Sequence, residues 1–496
     1  MSRLLDAIKQ YAEVTPQAVA IEGQYLSFTY AELGEAVSTV AGFIHEHDLT
    51  AVTLLADNGP LWCLVDLACA QAEVPLIPIP HFFSPAQMSH LIISAGADGI
   101  ITENPEQVLA LLEQLKLPGK PPVELSLAGQ SLTLIKLSVA KVALPEDCAK
   151  VTFTSGSTGE PKGVCLSRKV MDTVAASLAS VTGAKSHDRH LSLLPYATLL
   201  ENIGGLYAPL LVGATVVSPS LAAVGLSGSS GLDVQRFVGQ LIQSQATTCI
   251  MIPQMLHALV AVIEAGAPKP ERLRLIAVGG APVSLALLER AEKLALPVFE
   301  GYGLSEASSV VAVNRPGACK QGSVGKLLPH ASVSFAEDGE ILVKGGLFSG
   351  YLGEKPFEDE YWPTGDVGHM EEDGFLYLSG RKKHIFITAF GRNVSPEWVE
   401  RELSIEPVIA QCCLFGEARP FNVAVIVPRP GVDEAQIDKA VTEANKRLPD
   451  YAQISRWLIA GELFTIANGQ WTGTGRPRRA HIFAAYEDRL NVLYQE

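Results

Sequence analysis

Charge is scarce in this chain of 496 residues: Asp, Glu, Lys and Arg together make up 18% of it, below the roughly 25% typical of soluble proteins. Burial is therefore easy, and neither a disordered chain nor a small disulfide-stapled one fits the length and composition. Paired cysteines are also missing. The eight cysteines, Cys63, Cys69, Cys148, Cys165, Cys249, Cys319, Cys412 and Cys413, show no C-x-x-C spacing, which argues against a zinc ribbon or disulfide framework and for buried free thiols in a reducing compartment. No uncharged apolar run approaches the ~20 residues needed to span a bilayer. The opening MSRLLDAIKQYAEVTP reads as an amphipathic helix with Asp6 and Lys9 on its polar side, not as a cleavable leader. No internal repeat is visible. A net charge of −15 argues against nonspecific binding to nucleic acid or anionic membrane. The expectation is a cytoplasmic protein with no transmembrane segment and no nucleic-acid partner.

What is present is 48% apolar residues over a length that implies more than one domain. Short apolar runs alternate with helical patterns, the mark of α/β architecture. Leu26, Phe28 and Tyr30 alternate as in a strand. Thr29 and Glu32 then form a capping-box pattern ahead of Leu33, Val37, Val40, Ala41 and Ile44 at helical spacing. AVTLLAD (51–57), VPLIPI (74–79), KVTF, LSLLP, ATVV, TCIMI, LRLIAV and LPVF read as further strands, and Ser84-Pro85 as a helix start. KLPGKPPVE (116–124) and GLSGSSGLD (225–233) read as surface connections. Near residue 380 the texture changes to two short strands around a basic turn, then a helix capped by Ser395 with Pro396 first. The predicted fold is α/β: a large N-terminal domain of stacked α/β sheets, residues 1–381, and a small, hinged α+β domain, residues 382–496.

Four segments carry candidate chemistry. KVTFTSGSTGEPKG (150–163) runs an apolar strand into a loop of hydroxyl residues and glycines with one lysine. Such a loop either converges its backbone N–H groups on phosphate oxygens, with Lys162 adding positive charge, or is a flexible surface loop. It is not a Walker loop, because Pro161 and Gly163 flank the lysine. LRLIAVGGAPVS (273–284) ends a strand at Gly279 and Gly280, which either leave room for a flat ring or serve close strand–helix packing. LPVFEGYGLSEASS (296–309) lacks the third glycine of a dinucleotide fingerprint. Its Glu306 is either a ligand of phosphate-bound Mg²⁺ or an exposed structural carboxylate. In WPTGDVGHMEEDGFLYLSGRKKHIF (362–386), Asp366 and Arg381 are either a ribose-binding pair, with Asp accepting and Arg donating from the opposite side, or an ordinary turn aspartate and a solvated basic run. SHDRH, with His187 and His190, reads as a polar loop without a third metal ligand.

In this order and spacing, TSGSTGEPKG, GYGLSE, TGD and GRKK resemble the AMP-forming adenylating enzymes: acyl-CoA synthetases, nonribosomal adenylation domains and luciferase. The resemblance covers essentially the whole chain. LPYATLLENIGGLYAPLLVGA (194–214) and SGRKKHIFITAFGRNVSP (379–396) look most like bacterial long-chain fatty acyl-CoA ligases. The resemblance implies ATP, Mg²⁺ and CoA as cofactors. It implies that Thr154, Ser155, Gly156, Ser157, Thr158, Gly159 and Lys162 serve the phosphates, and that Thr158 and Glu306 serve the metal. Gly280, Ala281 and Pro282 would line the adenine beside Tyr302, Gly303 and Ser305, with Asp366 and Arg381 on the ribose. Lys383 would be the hinge, and Gly391 would lie in the loop approaching the thiol acceptor.

Activation of a carboxylic acid follows: AMP transfer gives a mixed anhydride and releases pyrophosphate, and a thiol then displaces AMP. Tyr196, Thr198, Leu199, Gly204 and Gly279 are expected to line the acid pocket. Its small and apolar residues suit a medium- or long-chain fatty acid. No aspartate occurs between Leu191 and Val217, which disfavours an amino-acid substrate. Relatives often carry His near Thr198. Glu201 would orient a neighbouring Asn or the nucleotide, or simply begin a helix. The acceptor is CoA or a carrier-protein phosphopantetheine; a third reading is a catalytically impaired nucleotide or acyl binder. The main departure from the family pattern is Arg476, where relatives usually have the lysine that bridges acid and phosphates. It either replaces that lysine or belongs to a solvated basic tail with Arg478 and Arg479.

Overall fold

Two large sheets carry the first three-quarters of the computed structural model, which describes residues 2–127, 129–154, 161–227, 231–472 and 475–495. The first sheet runs six parallel strands side by side in the order Val298–Tyr302, Leu275–Val278, Thr248–Met251, Arg189–Leu191, Thr215–Val217 and Val19–Glu22. The second places Leu76–Pro78, Val52–Leu55 and Gly99–Thr102 in parallel, beside the antiparallel pair Cys148–Thr154 and Lys162–Ser167.

Helices Tyr30–Glu46, Pro60–Ala72 and Arg168–Val181 lie between the sheets. They share one core with Ile21 and Val216 of the first sheet and Leu54, Leu76 and Leu166 of the second. Local chemistry starts these helices as expected. Thr29 and Glu32 close a full capping box, and Ser84 caps the helix that begins at Pro85, each cap being worth about 1 kcal/mol. Helix Arg3–Val14 buries Leu4 and Ile8 and leaves Asp6 and Lys9 in solvent.

A four-stranded antiparallel sheet, Ser332–Phe335, Glu340–Lys344, Trp362–Met370 and Leu376–Arg381, leads into the smaller C-terminal part. There Ile409–Phe415, Asn422–Pro428 and Ile454–Ile459 form a sheet whose alternate residues face opposite ways. Cys412, Leu414, Ala424 and Ile426 pack under helices Pro396–Ser404 and Glu434–Asn445, while Cys413, Val423 and Val425 pack under helix Arg479–Gln495. Among the described residues no helix is long and apolar enough to cross a membrane.

Several local expectations need correction. Pro396 opens its helix, but the Ser395 hydroxyl does not cap it and instead meets Glu397 Oε2 at 3.4 Å. His190 is not in a polar loop: it is buried in the strand Arg189–Leu191, with Nδ1 at 3.0 Å from Thr248 Oγ1 and Nε2 at 3.1 Å from Glu201 Oε1. LSLLP contributes only Leu191 to that strand. Part of the 225–233 connection forms a ladder between Leu226–Ser227 and Gly231–Leu232. Cys319 is exposed; the other seven cysteines are buried free thiols.

Candidate active site

Parallel strands open their C-terminal ends onto a common rim, the usual place for a ligand in α/β sheets. Leu275–Val278 delivers Gly279 and Gly280 there, and Val298–Tyr302 delivers Gly303, Leu304 and Ser305. A Cβ on Gly279 would meet no described atom closer than 3.6 Å, and one on Gly280, at φ +81°, none closer than 3.8 Å. Close packing is therefore not why these two are glycine; the space above them is open to a ligand. Gly303 is the reverse case, since a Cβ there would stand 1.5 Å from the Ser309 carbonyl oxygen. Ala281 is half-buried and Pro282 exposed beside them.

Ser155, Gly156, Ser157, Thr158 and Gly159 lie outside the described residues. Their flanks, Thr154 and Lys162, face each other across the antiparallel pair. Lys162 Nζ lies 3.0 Å from Glu354 Oε1 and 4.6 Å above the Tyr351 ring, and the Tyr351 hydroxyl donates to Glu306 Oε1 at 2.7 Å. Tyr351 gets there because Gly350–Tyr351 adds to the edge of Lys162–Ser167. Burial first, then Glu306 beside it, pushes the Tyr351 phenol well up, so it remains a donor. The sequence pointed to neither Tyr351 nor Glu354. Glu306 is half-buried, and the described residues hold no cluster of three metal-binding side chains. A single carboxylate of this kind fits Mg²⁺ held mostly by substrate phosphate oxygens, not an all-protein cage.

Asp366 and Arg381 do not stand on opposite sides of a ligand space: they are direct cross-strand partners, with Arg381 Nε 2.7 Å from Asp366 Oδ1. The Tyr302 hydroxyl donates to Asp366 Oδ2 at 2.7 Å. Burial raises the Asp366 carboxyl, with Arg381 opposing, and it raises the Tyr302 phenol well above its ordinary value. The trio presents a fixed carboxylate at the rim whose unused lone pairs can accept hydroxyl protons.

Glu300, which no motif singled out, accepts from Val283 N at 3.1 Å and so fixes the turn after Gly280. Burial lifts its carboxyl from 4.5 to about 7. A folded-state value above the unfolded one means that this group's contribution is intact at acid pH and is lost as pH rises from 4.5 through about 7. Glu300→Gln keeps the acceptor and removes the charge. It should flatten that decline and stabilise the alkaline protein by up to about 3 kcal/mol, visible as a raised thermal midpoint at alkaline pH and little change at acid pH. An unchanged pH profile would contradict this.

Beneath the rim lies a cavity of about 240 Å³. It follows the strand from Arg274 to Gly280, roofed by Leu199, Gly204 and Ala208. Thr198, Leu199, Gly204 and Gly279 line it, as do Tyr302, Gly303 and Ser305. Tyr196 does not: it stacks on Trp62 at 5.0 Å and its hydroxyl is bound to Ser192 and Ser218 inside the core. Glu201 likewise serves neither Asn202 nor the rim. Fully buried, it accepts from Leu194 N at 3.1 Å and partners His190. At the far end Arg274 pairs with Asp188 at 2.5 Å and donates to the Thr182 and Gly183 carbonyls.

From the C-terminal part, Arg476 reaches across to the rim, Nη2 donating to the Gly280 carbonyl at 2.5 Å. Its turn is closed by Arg476 N to Thr472 Oγ1 at 2.9 Å and by Gly475 at φ +77°. Arg479 is tied to Glu400 and so is not a spare cation. Lys383 is exposed next to Arg381; partial desolvation first, then Arg381 and Arg476, lowers its ammonium. Gly391, at φ +72°, turns the hairpin Phe386–Ile387 and Asn393–Val394.

A glycine-edged rim over an apolar cavity, with an arginine of the C-terminal part bonded to its edge, marks a ligand-binding site of the α/β class. Residues 8–352 match the AMP-binding enzyme family and residues 383–496 match the AMP-binding enzyme C-terminal domain, so the chain belongs to the AMP-binding enzymes. It is 26% identical to a long-chain-fatty-acid–CoA ligase of Mycobacterium bovis, over 96% of this chain and 94% of that one. It is 29% identical to a 2-succinylbenzoate–CoA ligase of Bacillus licheniformis, over 82% and 86%. The o-succinylbenzoate CoA synthetase of Bacillus subtilis in complex with its acyl-adenylate intermediate shares the fold, with a TM-score of 0.77 at 22% identity over 97% of this chain and 98% of that one. These relatives are AMP-forming acid–thiol ligases, the class that the motif order implied.

Proposed function

We propose that the chain activates a medium- or long-chain aliphatic carboxylic acid with ATP and transfers the acyl group to CoA. The observation that carries the acid is the cavity. Six residue steps from Arg274 to Gly280 at ~3.3 Å each give roughly 20 Å of length. A zigzag of ~1.5 Å bonds advances about 1.3 Å per carbon, so about fifteen carbons is the limit by length. The walls are mainly apolar, and the carboxylate end would emerge beside Gly279 and Gly280.

The acid's oxygen attacks the α-phosphorus of ATP and pyrophosphate leaves; the thiol then attacks the acyl carbonyl, loses its proton to solvent, and AMP leaves. In our reading Thr154, the loop after it and Lys162 hold the phosphates, Asp366 with Arg381 holds the ribose, and Gly280, Ala281 and Pro282 flank the base. Glu306 would hold Mg²⁺, which when bound neutralises phosphate charge. Arg476 holds the acid and phosphates together during the first step, so catalysis is positioning and electrostatics. Residues 382–496 would pivot at Lys383 between the two steps, bringing Gly391 to the acceptor.

The test is thioester formation by the purified protein with CoA and, separately, with a phosphopantetheinylated carrier protein, across octanoate, laurate, palmitate, benzoate and succinylbenzoate. Aliphatic acyl-CoA as the main product supports the reading. Preference for an aromatic acid, or for the carrier protein, overturns the corresponding half. A further consequence concerns the far end of the cavity. Removing both charges of its plug with Arg274→Ala/Asp188→Asn should raise kcat/KM for behenate relative to laurate by about tenfold or more, because each methylene taken from water is worth ~0.8 kcal/mol. An unmoved chain-length optimum would show that the pair is not the stop.

A further inference from the structure

One buried charged cluster has no part in the chemistry above. Lys150, with 1% of its side chain exposed, sits in the strand that leads to the phosphate loop, and its Nζ lies 2.7 Å from Asp66 Oδ1. The same ammonium donates to Asn202 Oδ1 and, at 3.0 Å, to the Tyr207 hydroxyl. Asn202 Nδ2 donates to Asp66 Oδ2 at 3.0 Å, and the Arg168 guanidinium stacks 5.4 Å over the Tyr207 ring. A buried ion pair adds little net stability, so its use is sought in the geometry that it selects.

Asn202 and Tyr207 are the first and last residues of a π-helix, Asn202–Tyr207. In an α-helix, positions five apart point about 140° away from each other. Only the wider winding, with its i to i+5 closure, stacks them so that one ammonium grips both. The neighbouring face of this segment carries Leu199, Leu200, Gly204 and Ala208, the roof of the cavity. Fit there is tight: a Cβ on Gly204 would stand 2.8 Å from Ile250 Cδ1, and one on Gly205 2.1 Å from Glu201 Oε1. A one-residue change of winding would therefore rotate a side chain into the place that Gly204 leaves open.

We infer that Lys150 is a positioning residue for acid selectivity: by clamping Asn202 and Tyr207 it holds the roof of the acid cavity in its π-helical winding. This rests on the reading of that cavity as the acid site. The test compares the full-length wild type with Tyr207→Phe, which loses one hydroxyl, and with Lys150→Met/Asp66→Asn, which leaves no charge unpaired within the pair. Acid-dependent ATP–pyrophosphate exchange is measured with octanoate and palmitate, together with the KM for ATP and the thermal midpoint. A buried hydrogen bond to a charged group is worth about tenfold or more. The palmitate-to-octanoate ratio of kcat/KM should shift by that order in both variants while the ATP KM holds. An unchanged ratio in active variants, with only the thermal midpoint lowered, overturns the inference and leaves the cluster as core packing. If the double variant fails to fold, Tyr207→Phe decides alone. If the wild type activates neither acid, the acid reading of the cavity fails and takes this inference with it.

Discussion

Arg476→Ala should lose acid-dependent pyrophosphate exchange by about a hundredfold to a thousandfold, the loss seen when one preorganised donor to a developing charge is deleted. The side chain already spans from the C-terminal part to the Gly280 carbonyl at 2.5 Å, so the turn that carries it is built to deliver a cation to the rim. Of the two nearby arginines that follow it, Arg479 is held by Glu400. Thiolysis of supplied acyl-adenylate should survive, because that step needs neither ATP nor the acid anion. Arg476→Lys should retain part of the exchange: an ammonium keeps the charge but not the fork that binds carboxylate and phosphate together. Full exchange by the alanine variant would assign the bridging charge elsewhere.

Lys162→Ala and Glu306→Ala should each depress exchange by a similar order while leaving the thermal midpoint within a few degrees. The structure explains why the two effects should be unequal in their ATP and Mg²⁺ dependence. Lys162 is half exposed and its ion pair with Glu354 is a surface one, so its departure costs little to the fold. Glu306 accepts from the Tyr351 hydroxyl, so its loss also frees the ring under Lys162. The expected signature is a raised ATP KM for Lys162→Ala and a raised Mg²⁺ requirement for Glu306→Ala. Wild-type exchange in folded variants would contradict both roles.

Much of this site is legible in the chain because its parts sit where strands end. Glycines that permit close approach, hydroxyls and single charges directly after apolar runs mark the rim at Thr154, Gly279, Gly280 and Tyr302, and capping pairs such as Thr29 with Glu32 mark helix starts. What is not legible depends on pairing between distant segments. Tyr351 reaches Lys162 only through the ladder of Gly350–Tyr351 with Lys162–Ser167. Asp366 meets Arg381 because the two are opposite each other across the ladder of Trp362–Met370 with Leu376–Arg381. Tyr196 and Thr198 lie two residues apart and look alike as pocket walls, yet one faces Trp62 in the core and the other faces the cavity. The far plug, Arg274 with Asp188, is brought together at the starts of two strands, Leu275–Val278 and Arg189–Leu191, that flank Thr248–Met251, and it carries no motif of its own. The π-helix is equally silent in sequence, and the lysine that binds its first residue, Asn202, lies fifty-two positions away.

The central claim is that an acyl-adenylate forms on this chain before any thiol is engaged. Incorporation of labelled pyrophosphate into ATP, measured without CoA, tests it most directly. The account predicts incorporation only when an aliphatic acid is present, lost in Arg476→Ala and independent of added CoA. Incorporation that ignores the acid, or that requires CoA, would contradict it.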